Sequence, residues 1–115
     1  MDIPNETANN RQDKVTSLIK ELSAKFLAGE ANRTSLITIT SCTASPDLKR
    51  ATIFFTVLPE GKEAEALGFM KRKRGELRDY IKSNMSTKII PFIEVAIDKG
   101  EKNRQKIDEL LRENN

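Results

Sequence analysis

The side chains best suited to chemistry are the cations between Lys71 and Lys88. This segment holds seven lysine and arginine residues against two acidic ones, so its net charge is +5. The whole chain of 115 residues carries only +3, and the remainder therefore sums to −2. Positive charge concentrated in one short stretch is typical of a surface that binds phosphate groups. For the run at residues 71–74 alone, a solvated helix surface is the plainer alternative.

Helical spacing separates this stretch into two sides, since successive residues turn by roughly 100°. One side carries four cations, which are Lys71, Arg74, Arg78 and Lys82. The opposite side is mostly apolar and consists of Ala66, Phe69, Met70, Leu77, Tyr80, Ile81 and Asn84. The pattern predicts a helix that packs with one side and binds anions with the other.

Lys73 and Gly75 predict an interruption in this helix. In a straight helix Lys73 would point toward the apolar side, where a charged group is costly unless it reaches back to solvent. Gly75 costs roughly 1 kcal/mol relative to alanine in a helix interior. It lies on the cationic side, where a missing side chain allows a bend or the close approach of a phosphate backbone. We therefore expect a bend just before Gly75.

Three more cations lie close to other predicted elements. Lys49 and Arg50 occupy a predicted turn, and Lys88 precedes the third strand; each is equally well explained as solvated charge. The complete set of candidate nucleic-acid-binding residues is Lys71, Arg72, Arg74, Gly75, Arg78, Lys82, Lys88, Lys49 and Arg50.

Composition argues against several classes of function. The chain has no histidine and a single cysteine, Cys42, which disfavours a catalytic triad, a thiolate zinc site and an internal disulfide. A hydrolase that uses carboxylates such as Asp47 or Glu94 has little support, because no nucleophile motif or phosphate loop accompanies them. No apolar run is long enough for a signal peptide or a membrane span. We expect a soluble cytoplasmic protein without catalysis, cofactor, metal or small-molecule substrate.

Hydrophobic periodicity predicts six elements after a disordered leader at residues 1–9. They follow the order helix, strand, strand, long helix, strand, helix, over residues 10–29, 36–44, 50–58, 62–84, 91–98 and 102–113. The first two strands form a hairpin, and the long helix crosses one face of a small mixed sheet. The prediction is an α+β fold of two layers with a three-stranded sheet, in a single domain over residues 10–113.

Two aromatic residues, Phe54 and Phe92, fall on strand faces opposite the predicted core residues. Exposed aromatics on a sheet can stack on nucleobases. Packing on each other or beneath a terminal helix is the commoner fate of such residues, and we expect it here.

The hairpin SLITITSCTASPDLKRATIFFTVL has a Ser-Pro-Asp-Leu turn and an alanine, Ala51, that opens its second strand. Further along, GELRDYIKSNMSTKIIPFIEVAID sets the spacing from a glycine to a proline, and DKGEKNRQKIDELL follows it. Over about residues 10–112 these segments together resemble the ribosome-binding factor A family, which has the same turn, the same spacing from glycine to proline and a similar last helix.

The resemblance implies a KH-like fold of type II, in which an Ala-x-Gly helix kink replaces the Gly-x-x-Gly loop of ordinary KH domains. Here the kink corresponds to Lys73-Arg74-Gly75, with lysine in place of the alanine. Ala66-Leu67-Gly68 does spell Ala-x-Gly, but using it requires seven extra residues before Pro91. Gly75 is therefore the preferred match.

The resemblance also implies a partner and a role. It implies a monomeric, non-catalytic factor that binds the precursor small ribosomal subunit and its rRNA, and that assists late maturation, including 5′-end processing. The alternative is a protein-interaction module whose basic stretch serves only solubility. Salt dependence separates the two, because binding to phosphates weakens steeply as salt rises.

Overall fold

A computed structural model describes residues 4–30, 36–87 and 89–100 of the protein. The helices are α1 (Pro4–Gly29), α2 (Glu63–Arg72) and α3 (Arg74–Asn84), with a short 3-10 turn at Glu60–Lys62. The strands are β1 (Leu36–Ala44), β2 (Arg50–Leu58) and β3 (Phe92–Ile97). The predicted last helix at residues 102–113 lies outside the described residues.

The three strands form one sheet in the order β1-β2-β3. β1 and β2 are antiparallel and form the predicted hairpin, with the predicted bounds. β2 and β3 are parallel, which requires a long crossover, and α2 and α3 supply it. The predicted two-layer α+β arrangement is therefore confirmed within the described residues.

The core lies between the helices and one face of the sheet. Period-two alternation correctly predicts the β2 side chains that face it, since Ala51, Ile53, Phe55 and Val57 are all buried. The helices contribute buried residues from each of their inner faces, namely Ile19, Leu22, Ala66, Met70, Leu77 and Ile81. Burial of these apolar side chains is the main force that holds α2 and α3 across β2 and β3.

The long helix is interrupted at Lys73, as the sequence predicts. α2 ends at Arg72 and α3 begins at Arg74, and Lys73 serves as the cap of both with φ −88° and ψ −1°. Its N–H still donates to the Phe69 carbonyl at 3.0 Å, and its carbonyl accepts from the Leu77 N–H at 2.9 Å. Helical hydrogen bonds therefore continue across the interruption and keep the two helices connected.

The first helix begins at Pro4, six residues before the predicted start at residue 10. Proline suits the first position of a helix, because its missing N–H would have no partner there. The intervening residues carry no apolar periodicity, so no helix is predicted from their pattern. The boundary between a leader and a single domain over residues 10–113 stays a prediction.

Candidate nucleic-acid interface

The candidate interface lies at the end of the sheet where β2 and β3 begin. Arg50 is the register partner of Phe92 across the parallel pair. The Phe92 N–H donates to the Lys49 carbonyl oxygen at 2.8 Å. These backbone contacts bring the two turn cations, Lys49 and Arg50, beside the first residue of β3.

The hairpin turn is held by hydrogen bonds of Ser45 and Asp47. The Ser45 hydroxyl donates to Asp47 Oδ1 at 2.6 Å and accepts from the Arg50 N–H at 3.1 Å. Asp47 Oδ1 also accepts from the Lys49 N–H at 3.1 Å. The Ser45 bond, followed by the Lys49 bond, lowers the pKa of Asp47 below its usual value. These hydrogen bonds therefore fix the backbone of Lys49 and Arg50.

α3 supplies two arginines to the same end of the sheet. The Arg74 guanidinium carbon lies 5.9 Å from the centroid of the Phe92 ring, which is cation–π distance. Arg78 donates from Nε to the Pro91 carbonyl at 3.3 Å and from Nη2 to the Ile90 carbonyl at 3.1 Å. Arg78 thus anchors α3 to the segment that leads into β3, and it is half-buried.

We call these side chains the Phe92 cluster, which consists of Lys49, Arg50, Arg74, Arg78 and Phe92. No carboxylate among the described residues forms a salt bridge with any of its four cations. A guanidinium has five N–H donors, so Arg78 keeps donors beyond the two that bind carbonyls. Within the described residues the cluster is a positive surface without salt bridges beside an aromatic ring, although the Asp47 carboxylate lies near Lys49 in the turn. Such a surface suits a phosphate-bearing partner.

A groove of about 360 Å³ adjoins the cluster, between α1, the hairpin turn and the segment before β3. Its lining residues are Arg11, Val15, Asp47, Leu48, Thr87, Ile89 and Pro91. Arg11 is exposed and forms no salt bridge within the described part of the chain. It adds a cation that the sequence analysis did not select.

The remaining predicted residues are spread along the two helices. Lys71 and Arg72 are exposed in the last turn of α2, and Lys82 is exposed in the last turn of α3. None of them is ion-paired within the described ranges. Gly75 is exposed, and a Cβ added there would meet nothing within 4 Å. Lys88 lies outside the described residues.

Lys73 is the one cation of the 71–74 run whose charge is neutralised within the described residues. Its ammonium lies 2.9 Å from Glu76 Oε2 and 3.4 Å from Glu30 Oε2, and 6.0 Å from the Phe69 ring centroid. The hydrogen bond to Glu76 is the main cause of its raised pKa. The predicted conflict between this charge and the apolar side is resolved by ion pairing at the bend.

Phe92 is the member that the sequence analysis left out of the site. It is 51% exposed, so it differs from the packed aromatic that we expected, whereas Phe54 is half-buried. A signal was present in the sequence, because Phe92 is out of phase with the buried Ile93 and Val95. Its cationic neighbours could not be identified, since they come from distant parts of the chain.

Two other kinds of site find no support in the described residues. No group of three or more potential metal ligands comes together there. Nor does any described helix have the length and apolar character needed to cross a bilayer. Cys42 is half-buried in β1, and desolvation raises the pKa of its thiol to about 11, which disfavours the reactive thiolate.

Comparisons with known proteins agree with this architecture. The chain is 30% identical to a ribosome-binding factor A from Paenarthrobacter aurescens over an alignment of 106 residues. The alignment covers 90% of this chain and 64% of that protein. The crystal structure of ribosome-binding factor A from Thermus thermophilus aligns with a TM-score of 0.68 at 16% identity, over 75% of this chain and 94% of that one.

A second Thermus thermophilus structure is a homology model fitted into the cryo-EM map of a 30S–RbfA complex. It aligns with a TM-score of 0.60 at 21% identity, over 70% of this chain and 88% of that one. These likenesses confirm the KH-like fold. The family model for ribosome-binding factor A matches residues 11–111, and the chain therefore belongs to the ribosome-binding factor A family.

Proposed function

We propose that the protein binds the immature small ribosomal subunit through its rRNA and assists late maturation, including processing of the rRNA 5′ end, without catalysing a reaction. The observation that carries the proposal is the Phe92 cluster, in which four cations without salt bridges to described carboxylates surround one end of the sheet. Family membership supports it, and so does the relative fitted into a 30S complex.

The contacting surface is proposed to combine the Phe92 cluster with the exposed cations of both helices. Lys71, Arg72 and Lys82 flank the cluster along α2 and α3, and Lys88 and Gly75 complete the predicted set. Contacts to phosphates position a protein on RNA but carry little sequence information. Specificity would then come from the shape of the rRNA.

In this proposal residues 10–113 act as one domain, as a cytoplasmic monomer. The protein would change the rRNA only by binding it, so that other factors process the 5′ end. Incubation of the purified protein with precursor rRNA should therefore leave the RNA uncut. Cells depleted of the protein should accumulate unprocessed 5′ ends, measured by primer extension.

The decisive experiment is co-sedimentation with immature small subunits, mature small subunits and large subunits over a series of salt concentrations. We expect selective binding to small-subunit particles that weakens steeply as salt rises. The double variant Lys49→Glu/Arg74→Glu should lose this binding. The matched control is Lys14→Glu/Lys20→Glu, which makes the same charge change at exposed positions of α1.

A protein-interaction module remains the second candidate, on one observation. Leu36 and Leu58 are register partners at the other end of the hairpin and are 62% and 58% exposed. An apolar partner surface there would give binding with a shallow salt dependence that Leu58→Asp abolishes and Lys49→Glu/Arg74→Glu does not.

A further inference from the structure

Phe92 has an exposed ring on a firmly held backbone. It is the first residue of β3, its N–H is bonded to the Lys49 carbonyl, and it pairs with Arg50 in the sheet. The next residue, Ile93, is 2% exposed on the core face, so Phe92 must project from the other face. The backbone of Phe92 is therefore held in place, and its side chain is only half covered.

A single exposed apolar side chain needs no special explanation on a protein surface. The surroundings of Phe92 are what distinguish it. Arg74 lies over the ring at 5.9 Å, and Lys49 and Arg50 adjoin it through the backbone. Arg78 closes the group from the side of α3 by binding the carbonyls of the two residues before Phe92. An aromatic ring among cations combines base stacking with phosphate contacts.

The geometry points to one class of ligand. A base-paired RNA helix presents phosphates and hydroxyls on its outside and keeps its bases stacked within, so it offers the ring no flat partner. An unpaired nucleotide offers both a base and a phosphate. We infer that Phe92 and Arg74 form a stacking platform for an unpaired base in a single-stranded segment of RNA. This inference rests on the proposed function and names the kind of RNA that the cluster takes.

The test compares two single-stranded probes of equal length and charge. One is a short oligoribonucleotide of mixed sequence, and the other is the same ribose-phosphate chain without bases. Fluorescence anisotropy at fixed salt gives both affinities. We expect the protein to bind the base-bearing probe roughly ten-fold more tightly, because stacking on an aromatic ring supplies about that factor.

Variants of Phe92 assign this preference to the ring. Phe92→Ala and Phe92→Leu should lose the preference for the base-bearing probe and keep the affinity for the abasic probe. Phe92→Tyr should retain the preference. Leu58→Ala is the matched control, since Leu58 is 58% exposed at the far end of β2. Far-ultraviolet circular dichroism checks that each variant is folded.

Ring-proton resonances of Phe92 provide a second, direct measurement. Stacking should move them upfield when the base-bearing probe is added and leave them in place with the abasic probe. Equal affinity of the protein for the two probes, no binding of either, or a preference that survives in Phe92→Leu would overturn the inference.

The same preparation tested with ribosomal particles separates the inference from the proposed function. Binding to small subunits without any base preference refutes the platform and leaves the proposed function standing. A base preference that Phe92→Ala removes, in a protein that binds no small subunits, supports the platform and refutes the proposed function.

Discussion

Two neighbouring places on the kinked helix pair a cation with a phenylalanine ring at nearly the same distance. At the bend, Lys73 lies 6.0 Å from the Phe69 centroid, and in the Phe92 cluster Arg74 lies 5.9 Å from the Phe92 centroid. In the first pair two carboxylates neutralise the cation, and the Phe69 ring is half-buried. The second has no described carboxylate in a salt bridge, and its ring is open.

Charge density along the sequence does not by itself locate a binding surface. Residues 71–74 are all basic, yet Lys73 forms an ion pair with Glu30, the residue that follows α1. Arg74, the next residue, faces a different element. What distinguishes a candidate contact is the absence of internal compensation, because an unpaired cation leaves its field available to a ligand.

Arg78 anchors α3 to the segment that leads into Phe92, so its removal should destabilise the protein more than the other changes proposed below. Arg78→Ala deletes both hydrogen bonds to the Pro91 and Ile90 carbonyls. Bonds from a charged donor contribute about 1.5–3 kcal/mol, so we expect the free energy of unfolding in urea to fall by roughly 2 kcal/mol. Lys82→Ala, an exposed cation on the same helix, should change it little. Full stability in Arg78→Lys would contradict the argument, since lysine cannot reproduce the forked geometry.

Arg74→Ala and Lys73→Ala test the comparison directly, since each removes one positive charge from adjacent positions. Arg74→Ala should weaken RNA binding several-fold and reduce the slope of log affinity against log salt by about 1. Lys73→Ala should leave that slope unchanged, because its charge is already neutralised by Glu30 and Glu76. The measurement is anisotropy of single-stranded RNA over a salt series. Equal slopes for the two variants would show that Arg74 contributes no more to RNA binding than the ion-paired Lys73 does.

Gly75→Ala tests whether RNA approaches the helix surface beside Arg74. The structure leaves open space for a Cβ at Gly75, and alanine is the better helix former. We expect the free energy of unfolding to rise by up to about 1 kcal/mol. Weaker RNA binding in this more stable variant would show that RNA approaches the backbone here. Unchanged binding would assign the glycine to tolerance alone.

Much of the fold could be predicted because local patterns and tertiary packing agree. The hairpin bounds, the buried face of β2 and the interruption at Lys73 all follow from periodicity and turn residues. The start of α1 could not be predicted, because residues 4–9 carry no apolar repeat. Apolar periodicity reveals a helix only where one face of the helix is buried, so it cannot detect a helix that buries no face.

The candidate site was harder to predict than the fold, for a physical reason. Helical spacing groups residues within one element, so it selected Arg74, Arg78 and Lys82 but could not place Phe92 or Lys49 beside them. Their meeting depends on the parallel pairing of β2 with β3, which is set by tertiary structure. Residue spacing also could not predict that Arg78 donates hydrogen bonds to backbone carbonyls.

The ion pair of Lys73 at the bend should give protein stability a small dependence on pH. The hydrogen bond to Glu76, with the nearby charge of Glu30, raises the pKa of Lys73 above its usual value of 10.5 in the folded protein. The ammonium form is therefore favoured by folding, so its contribution to stability is fully present below pH 10.5 and is lost as pH rises through the folded pKa. Lys73→Met should lack this contribution. The difference in urea midpoint between the protein and Lys73→Met should stay constant from pH ~8 to pH ~10 and shrink above that. Arg74→Met, which removes a group that does not titrate in this range, should show a constant difference throughout. A Lys73→Met difference that grows with pH would mean that the lysine is better tolerated uncharged, and the bend would then be an apolar contact and not an ion pair.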